Sequence, residues 1–286
     1  MHIILGGTGQ VGSATARALL ARGEPVTVVT REAAHASRLA AEGARVAEAD
    51  IRDMDRLRDV LRSGRRAFLL SPPAAPATDT DAEEHKNIAA ILAALDGSGL
   101  EKVVAASTYG ARSGERVGDM TVLHAFEKAL REQAIPAAIN RGAYYMGNWA
   151  AMLPALREGG PLTSLFPADL DLPMVAAEDL GEAAADRMTS GVEDVGIRHV
   201  EGPGRYTPRD VAEAFGRALR RDVDVAVVPP EAWEETFRSL GFSAPAAASY
   251  ARMIAATVEG AFPEAGDVRR GRVTLGDYVA ALVGAG

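Results

Sequence analysis

Glycines at 6, 7, 9 and 12, in the run Gly6-Gly7-Thr8-Gly9-Gln10-Val11-Gly12, form the pattern in this chain with the most direct chemical meaning. The apolar run His2-Ile3-Ile4-Leu5 precedes it, and Val11, Ala14, Ala18 and Leu19 recur behind it at helical spacing. Strand, glycine turn and helix in that order make a cradle for a pyrophosphate. Gly6 permits the tight turn, Gly9 lets the backbone approach the phosphates, and Gly12 lets helix and strand pack closely. The first-turn amides of the helix add unpaired donors and a positive dipole end. The plainer alternative is a tight turn that binds nothing.

The second strand ends at Thr30-Arg31, where an NAD-binding unit would carry an Asp or Glu for the ribose hydroxyl. Arg31 suits a 2′-phosphate instead, so the expected cofactor is NADP(H), with Arg38 as a helper; a surface arginine without a role is the alternative. Asp50-Ile51 follows the third strand, where Asp50 would accept from the adenine amino group or cap the next helix. Ser71-Pro72-Pro73 stops the fourth strand abruptly at the same sheet edge, and its loop is expected to run over the cofactor. With Ser107 at the end of the fifth strand, the expected cofactor contacts are Gly6, Gly7, Thr8, Gly9, Gln10, Val11, Gly12, Arg31, Asp50, Ile51, Ser71, Pro72 and Ser107.

Polar groups expected near the reacting end are Ser107, Thr108, Tyr109, His124, Tyr144 and Tyr145. Tyr109 and His124 are the expected catalytic residues, the histidine because its ordinary pKa near 6.5 suits proton transfer. Each has a structural alternative: strand-end hydroxyls satisfying the backbone, packing aromatics, a half-buried histidine with a partner.

The elements that must position these residues follow a regular alternation. Strands at 25–30, 44–48, 66–70, 102–107 and near 136–140 are separated by helices at 34–42, 53–63, 79–96 and 119–133. The fold class is therefore α/β, a Rossmann-type doubly wound parallel sheet. The second half reads as a smaller, mostly helical substrate lobe: helices at 145–157, 178–190, 230–240, 244–258 and 274–283, strands at 196–201 and 222–228, and a helix to Leu219 opened by the capping box Thr207-Pro-Arg-Asp210. The expected division is 1–150 for the nucleotide-binding domain and 151–286 for the lobe. Trp233, Phe237, Phe242, Tyr250 and Met253 would line an apolar pocket or form the lobe's own core, and Arg269-Arg270-Gly271-Arg272 reads as a solvated basic patch.

Composition narrows the partners. The 286 residues are 48% hydrophobic and 24% charged, which fits one large globular domain or one domain plus a lobe. With 31 Lys and Arg against 39 Asp and Glu the formal charge is −8, which speaks against nucleic acid or an anionic membrane as partner. There is no cysteine, and the histidines at 2, 35, 85, 124 and 199 do not pair at a zinc spacing, so no metal is expected. The longest uncharged stretch, Met1 to Ala16, is too short and glycine-broken to span a bilayer and lacks a basic n-region, so the expected location is cytoplasmic. A homodimer fits the sequence as well as a monomer does.

Beside this reading, the chain resembles the NmrA-like group of atypical short-chain dehydrogenase/reductases, which includes NAD(P)H-dependent quinone reductases and cofactor-sensing regulators. The resemblance covers roughly 1–200. It is carried by the glycine motif at 6–12, Val28-Val-Thr-Arg31, Asp50, Asn87, Gly99-Leu-Glu-Lys-Val-Val-Ala-Ala-Ser107, the Glu127 to Arg141 spacing, Arg141-Gly-Ala-Tyr-Tyr-Met-Gly-Asn148, and Leu172-Pro-Met-Val175 leading to Glu178-Asp-Leu180. It implies a Rossmann domain with a small substrate lobe and NAD(P)H as cofactor. The Tyr and Lys four residues apart of ordinary short-chain dehydrogenases are missing. Counting back from Glu127 puts Asp119 where their Tyr stands and Leu123 where their Lys stands.

The favoured expectation is an NAD(P)H-dependent oxidoreductase that transfers hydride to a small apolar carbonyl or quinone-like substrate. The alternative, favoured by the missing pair, is a non-catalytic NADP(H)-sensing regulator whose partner affinity depends on the cofactor. A sugar-nucleotide epimerase ranks below both, since it needs the missing pair.

Overall fold

The computed structural model describes residues 1–260, 262 and 268–285. The first half runs β1 (His2–Ile4), α1 (Gln10–Ala21), β2 (Val26–Thr30), α2 (Ser37–Ala41), β3 (Arg45–Glu48), α3 (Met54–Arg62), β4 (Arg66–Leu69), α4 (Thr80–Leu95), β5 (Lys102–Thr108), α5 (Asp119–Glu132) and β6 (Ala137–Gly142). The second half adds β7 (Tyr144–Tyr145), α6 (Leu153–Arg157), β8 (Leu162–Ser164), β9 (Leu172–Val175), α7 (Ala177–Thr189), β10 (Gly196–Glu201), β11 (Arg205–Tyr206) and α8 (Pro208–Leu219). It closes with β12 (Val225–Val227), α9 (Trp233–Ser239), α10 (Ala244–Val258), β13 (Val268–Arg270) and α11 (Leu275–Gly284).

Eight strands form one parallel sheet in the order β13-β10-β6-β5-β4-β1-β2-β3. The segment β3-β2-β1-β4-β5-β6 is the doubly wound Rossmann order, as expected, with the direction of winding reversing between β1 and β4. Ligands of such sheets sit in the crevice above that reversal.

Sequence explains the layers. Every residue of β2, Val-Thr-Val-Val-Thr, is buried, as a strand covered on both faces requires. Ile4, Val28, Phe68 and Val104 pack on one face against Leu19, Leu180 and Ala184 of α1 and α7. The alternate residues Ile3, Val29, Leu69 and Val103 pack on the other against Leu57, Leu61, Ile91 and Phe126 of α3, α4 and α5. Each fully buried aliphatic or aromatic side chain here stabilises the fold by roughly 1.5–3 kcal/mol.

The lobe has its own core, built around Trp149, Phe166, Phe215, Trp233 and Phe237. Phe237, Phe242 and Tyr250 pack edge-to-face at 4.9–5.5 Å between ring centres. The capping box forms as read: Thr207 Oγ1 accepts from Asp210 N at 3.1 Å and Asp210 Oδ2 accepts from Thr207 N at 2.7 Å.

Two expectations give way. The helix expected over 145–157 is instead the end of β7, a 3₁₀ segment from Met146–Met152 and the short α6, because Tyr144 and Tyr145 pair with Met174 and Val175 of β9. The basic run near 270 is a strand whose charges are matched: Arg269 Nε donates to Asp186 at 2.9 Å and Arg270 donates to the buried Glu201 at 2.8 Å. Among the described residues, no helix is long and apolar enough to cross a membrane.

Candidate nucleotide groove and active-site cavity

At the end of β1 the chain turns through Gly6, whose φ of +63° lies in the left-handed region. Gly9 N donates to Gly6 O at 2.9 Å and closes the turn. A Cβ on Gly12 would lie 2.1 Å from that same carbonyl oxygen, so α1 can begin this close to the turn only with hydrogen at position 12. Gly7 backs onto Val28 of β2. The helix starts at Gly9 with no side-chain cap and no acidic residue in its first turn, so its amide end stays electropositive.

From this turn a groove of about 460 Å³ runs along the sheet edge, lined by Gly6, Thr8, Arg31, Asp50, Ile51 and Pro72 among others. Arg31 is exposed and has no hydrogen bond or ion pair among the described residues. Arg38 does not join it: its Nε pairs with Glu42 at 3.3 Å, and it borders a different groove, against α7, together with Gln10. Asp50 accepts from Arg52 N at 2.8 Å, and capping of α3 falls to Asp53, which accepts from Arg56 N at 3.0 Å. Sequence reasoning missed Arg52, His35 and the Asn87 contact on this wall. Arg52 reaches Asn87 Oδ1 at 3.0 Å, and Asn87 Nδ2 donates to Pro72 O at 3.2 Å, which ties the loop after β4 to α4.

Beside the groove lies a cavity of about 380 Å³ between the sheet edge and the lobe, and Leu70 and Pro73 line both. Its walls are mostly apolar, with Leu123, Phe166, Met253 and Ile254, and among the described residues no Lys, Arg or His lines it. Ser71 and Ser107 line it too. The Ser71 Oγ is buried without a partner among the described residues. The Ser107 hydroxyl is committed: it donates to Glu127 Oε1 at 2.5 Å, and Glu127 takes a two-point ion pair from Arg141 at 2.8 and 2.7 Å. Val11 is a core residue of α1.

The two expected catalytic residues part company. Tyr109 reaches the cavity wall, but its hydroxyl donates to Glu201 Oε1 at 2.9 Å, and burial pushes its pKa well above the usual phenol range. His124 does not reach the cavity; it borders a surface groove with His85 and Lys128. Tyr144 and Tyr145 both face the cavity, their pKa values pushed up to about 12 by burial.

Two acids were missed. Asp119 at the start of α5 and Glu84 on α4 both line the cavity, and burial pushes them up to about 6 and about 7. The signal was present: Asp119 and Leu123, the two positions that match the missing Tyr and Lys, both stand on this wall.

The profile of the NmrA-like family matches residues 2–263. The chain belongs to the NmrA-like family. A relative from Xenophilus azovorans, an NAD(P)H azoreductase, is 23% identical over 241 residues, covering 84% of this chain and 82% of the relative. Among solved structures, an NADPH-dependent quinone oxidoreductase from Escherichia coli, complexed with NADPH, superposes with a TM-score of 0.82 at 21% identity, covering 99% of each chain. A triphenylmethane reductase from Citrobacter sp., complexed with NADP(H), gives 0.81 at 20% identity, covering 98% of this chain and 99% of that one. This member of the NmrA-like family thus shares its whole fold with nucleotide-dependent reductases.

Proposed function

We propose that this protein is an NADPH-dependent reductase of a small, apolar, quinone-like acceptor. The observation that carries the reading is adjacency: the groove that starts at the glycine turn and an apolar cavity lie side by side, with Leu70 and Pro73 lining both. The residues fit the nucleotide. The uncapped start of α1 and the close-packed Gly6 to Gly12 turn suit the pyrophosphate, Arg31 the 2′-phosphate, and Asp50 with Ile51 the adenine end. Pro72 on the groove wall and Ser71 and Ser107 on the cavity wall would flank the nicotinamide. Reduced nicotinamide, when bound, supplies a hydride.

The chain's own work is then placement and exclusion of water. Met253, Ile254 and Phe166 close the cavity from the lobe side and keep a flat acceptor against the sheet edge. The similarity to reductases of quinones, azo compounds and triphenylmethane dyes supports the same class of reaction.

The test is a fluorescence titration of the purified protein with NADPH and with NADH, repeated on Arg31→Ala, followed by NADPH oxidation with a naphthoquinone. Preference for NADPH that falls at least tenfold in the variant, with turnover by the wild type, is expected. Tight NADPH binding without oxidation of any quinone, azo or dye acceptor would instead establish the sensing role, and no binding of either nucleotide would end both.

A further inference from the structure

Asp119 is held in place by the lobe. The preceding Gly118 donates its amide to Ser249 Oγ of α10 at 2.9 Å, and Ser249 donates to Asp81 Oδ2 of α4 at 2.9 Å. Three helices therefore meet at the start of α5 and aim its first residue at the cavity. The Asp119 carboxyl itself has no hydrogen bond or ion pair among the described residues. Among the described residues, the ionisable groups that face it are acids and phenols: Asp81 and Glu84 on α4, Tyr145 on β7, and Tyr250 on α10.

A carboxylate left like this, in an apolar wall with no cation, costs stability and does nothing for the fold. An acid kept neutral there has a use. The proposed reduction delivers a hydride, and a quinone that accepts a hydride becomes an anion that must take up a proton. The ordinary source in a water-poor cavity is a positioned side chain with a pKa near the working pH. Tyr109 cannot serve, since its O–H is held by Glu201, and His124 lies outside the cavity.

We propose that Asp119 is the proton donor of this reduction. The step rests on the reductase reading above. A neutral quinone takes a hydride, two electrons with one proton, from the reduced nicotinamide. The resulting phenolate oxygen then forms an O–H bond with the Asp119 proton as the carboxyl O–H breaks. The products are a hydroquinone, the oxidised nucleotide and the Asp119 carboxylate, which regains a proton from solvent through the cavity mouth. Glu84, whose Oε1 accepts from Ala74 N at 3.0 Å, is the neighbouring acid that keeps a second negative charge from forming easily beside it.

The experiment compares wild type, Asp119→Asn and Asp119→Glu. Infrared difference spectra between pH 5 and pH 8 read protonated carboxyls without any substrate, and a band with a midpoint near 6 is expected in wild type and absent in Asp119→Asn. With a neutral naphthoquinone, kcat of Asp119→Asn is expected to fall by about a hundredfold and to lose its decline above pH 6, with partial recovery in Asp119→Glu. NADPH affinity should change less than about twofold, since the cavity wall lies beyond the groove. Wild-type kcat and pH profile in Asp119→Asn would overturn the donor role and leave the reductase reading standing. Loss of NADPH affinity together with kcat, or no carboxyl titrating between pH 5 and 8 in wild type, would also overturn it. A wild type that binds no NADPH removes both readings at once.

Discussion

Replacing Glu84 by glutamine should make the protein more stable, and only above a certain pH. Glu84 is 6% exposed, faces Asp119 across the cavity wall, and has no cation beside it, so the folded state holds its proton up to about pH 7 while the unfolded chain releases it near 4.5. Between those values the native state binds more protons than the unfolded one, so stability falls as pH rises. The full difference, about 2.5 pKa units at 1.36 kcal/mol each, is about 3 kcal/mol above pH 7. In Glu84→Gln the side chain would carry no charge at any pH and could still accept from Ala74 N through its amide oxygen. For 286 residues, an unfolding entropy of roughly 2.1 cal/mol/K per residue converts 3 kcal/mol into a rise of about 5 °C in Tm. Thermal melts of both proteins at pH 4 and pH 8 check this: equal Tm at pH 4 and a gap of about 5 °C in favour of the variant at pH 8. A variant that melts lower at pH 8, or a gap that is the same at both pH values, would refute the assignment of an uncompensated buried acid.

Other substitutions test other parts of the site. Gly12→Ala would put a methyl 2.1 Å from Gly6 O, so α1 must move by about 1 Å; a loss of about 1–3 kcal/mol in urea unfolding is expected, with NADPH affinity lowered at least tenfold. Arg141→Met leaves Glu127, 1% exposed, without its cation, and chemical denaturation should show a loss of about 3–5 kcal/mol at pH 7. Much of that loss should disappear in the double variant with Glu127→Gln, which a double-mutant cycle measures directly.

The groove was legible in the sequence because its determinants are local. The glycine run, the all-apolar β2 and the strand-end residues Arg31, Asp50 and Pro72 each sit at the end of their own strand, and a parallel sheet brings all such ends to one edge. The cavity was less legible because its lining depends on which way α5 is turned. Asp119 and Leu123 share the face that meets the cavity, while His124 is one residue further and points about 100° away, toward His85 on α4. A helical period shows which residues share a face, but not what that face meets. Distance in the chain hid the rest: Tyr144 and Tyr145 pair with β9 some thirty residues later, and the charges of Arg269 and Arg270 are matched by Asp186 and Glu201.

The bond from Ser249 to the start of α5 also sets an order of events during synthesis. The walls of the groove lie within the first 87 residues and come together through neighbouring βα units. The cavity needs Met253, Ile254 and Thr257 from α10, and α5 is anchored by a residue 131 positions further along. A growing chain can therefore assemble the walls of the groove while the cavity still lacks one. Closing such distant contacts is the slow part of folding, so the second half of the chain governs how soon the cavity of a new molecule is complete.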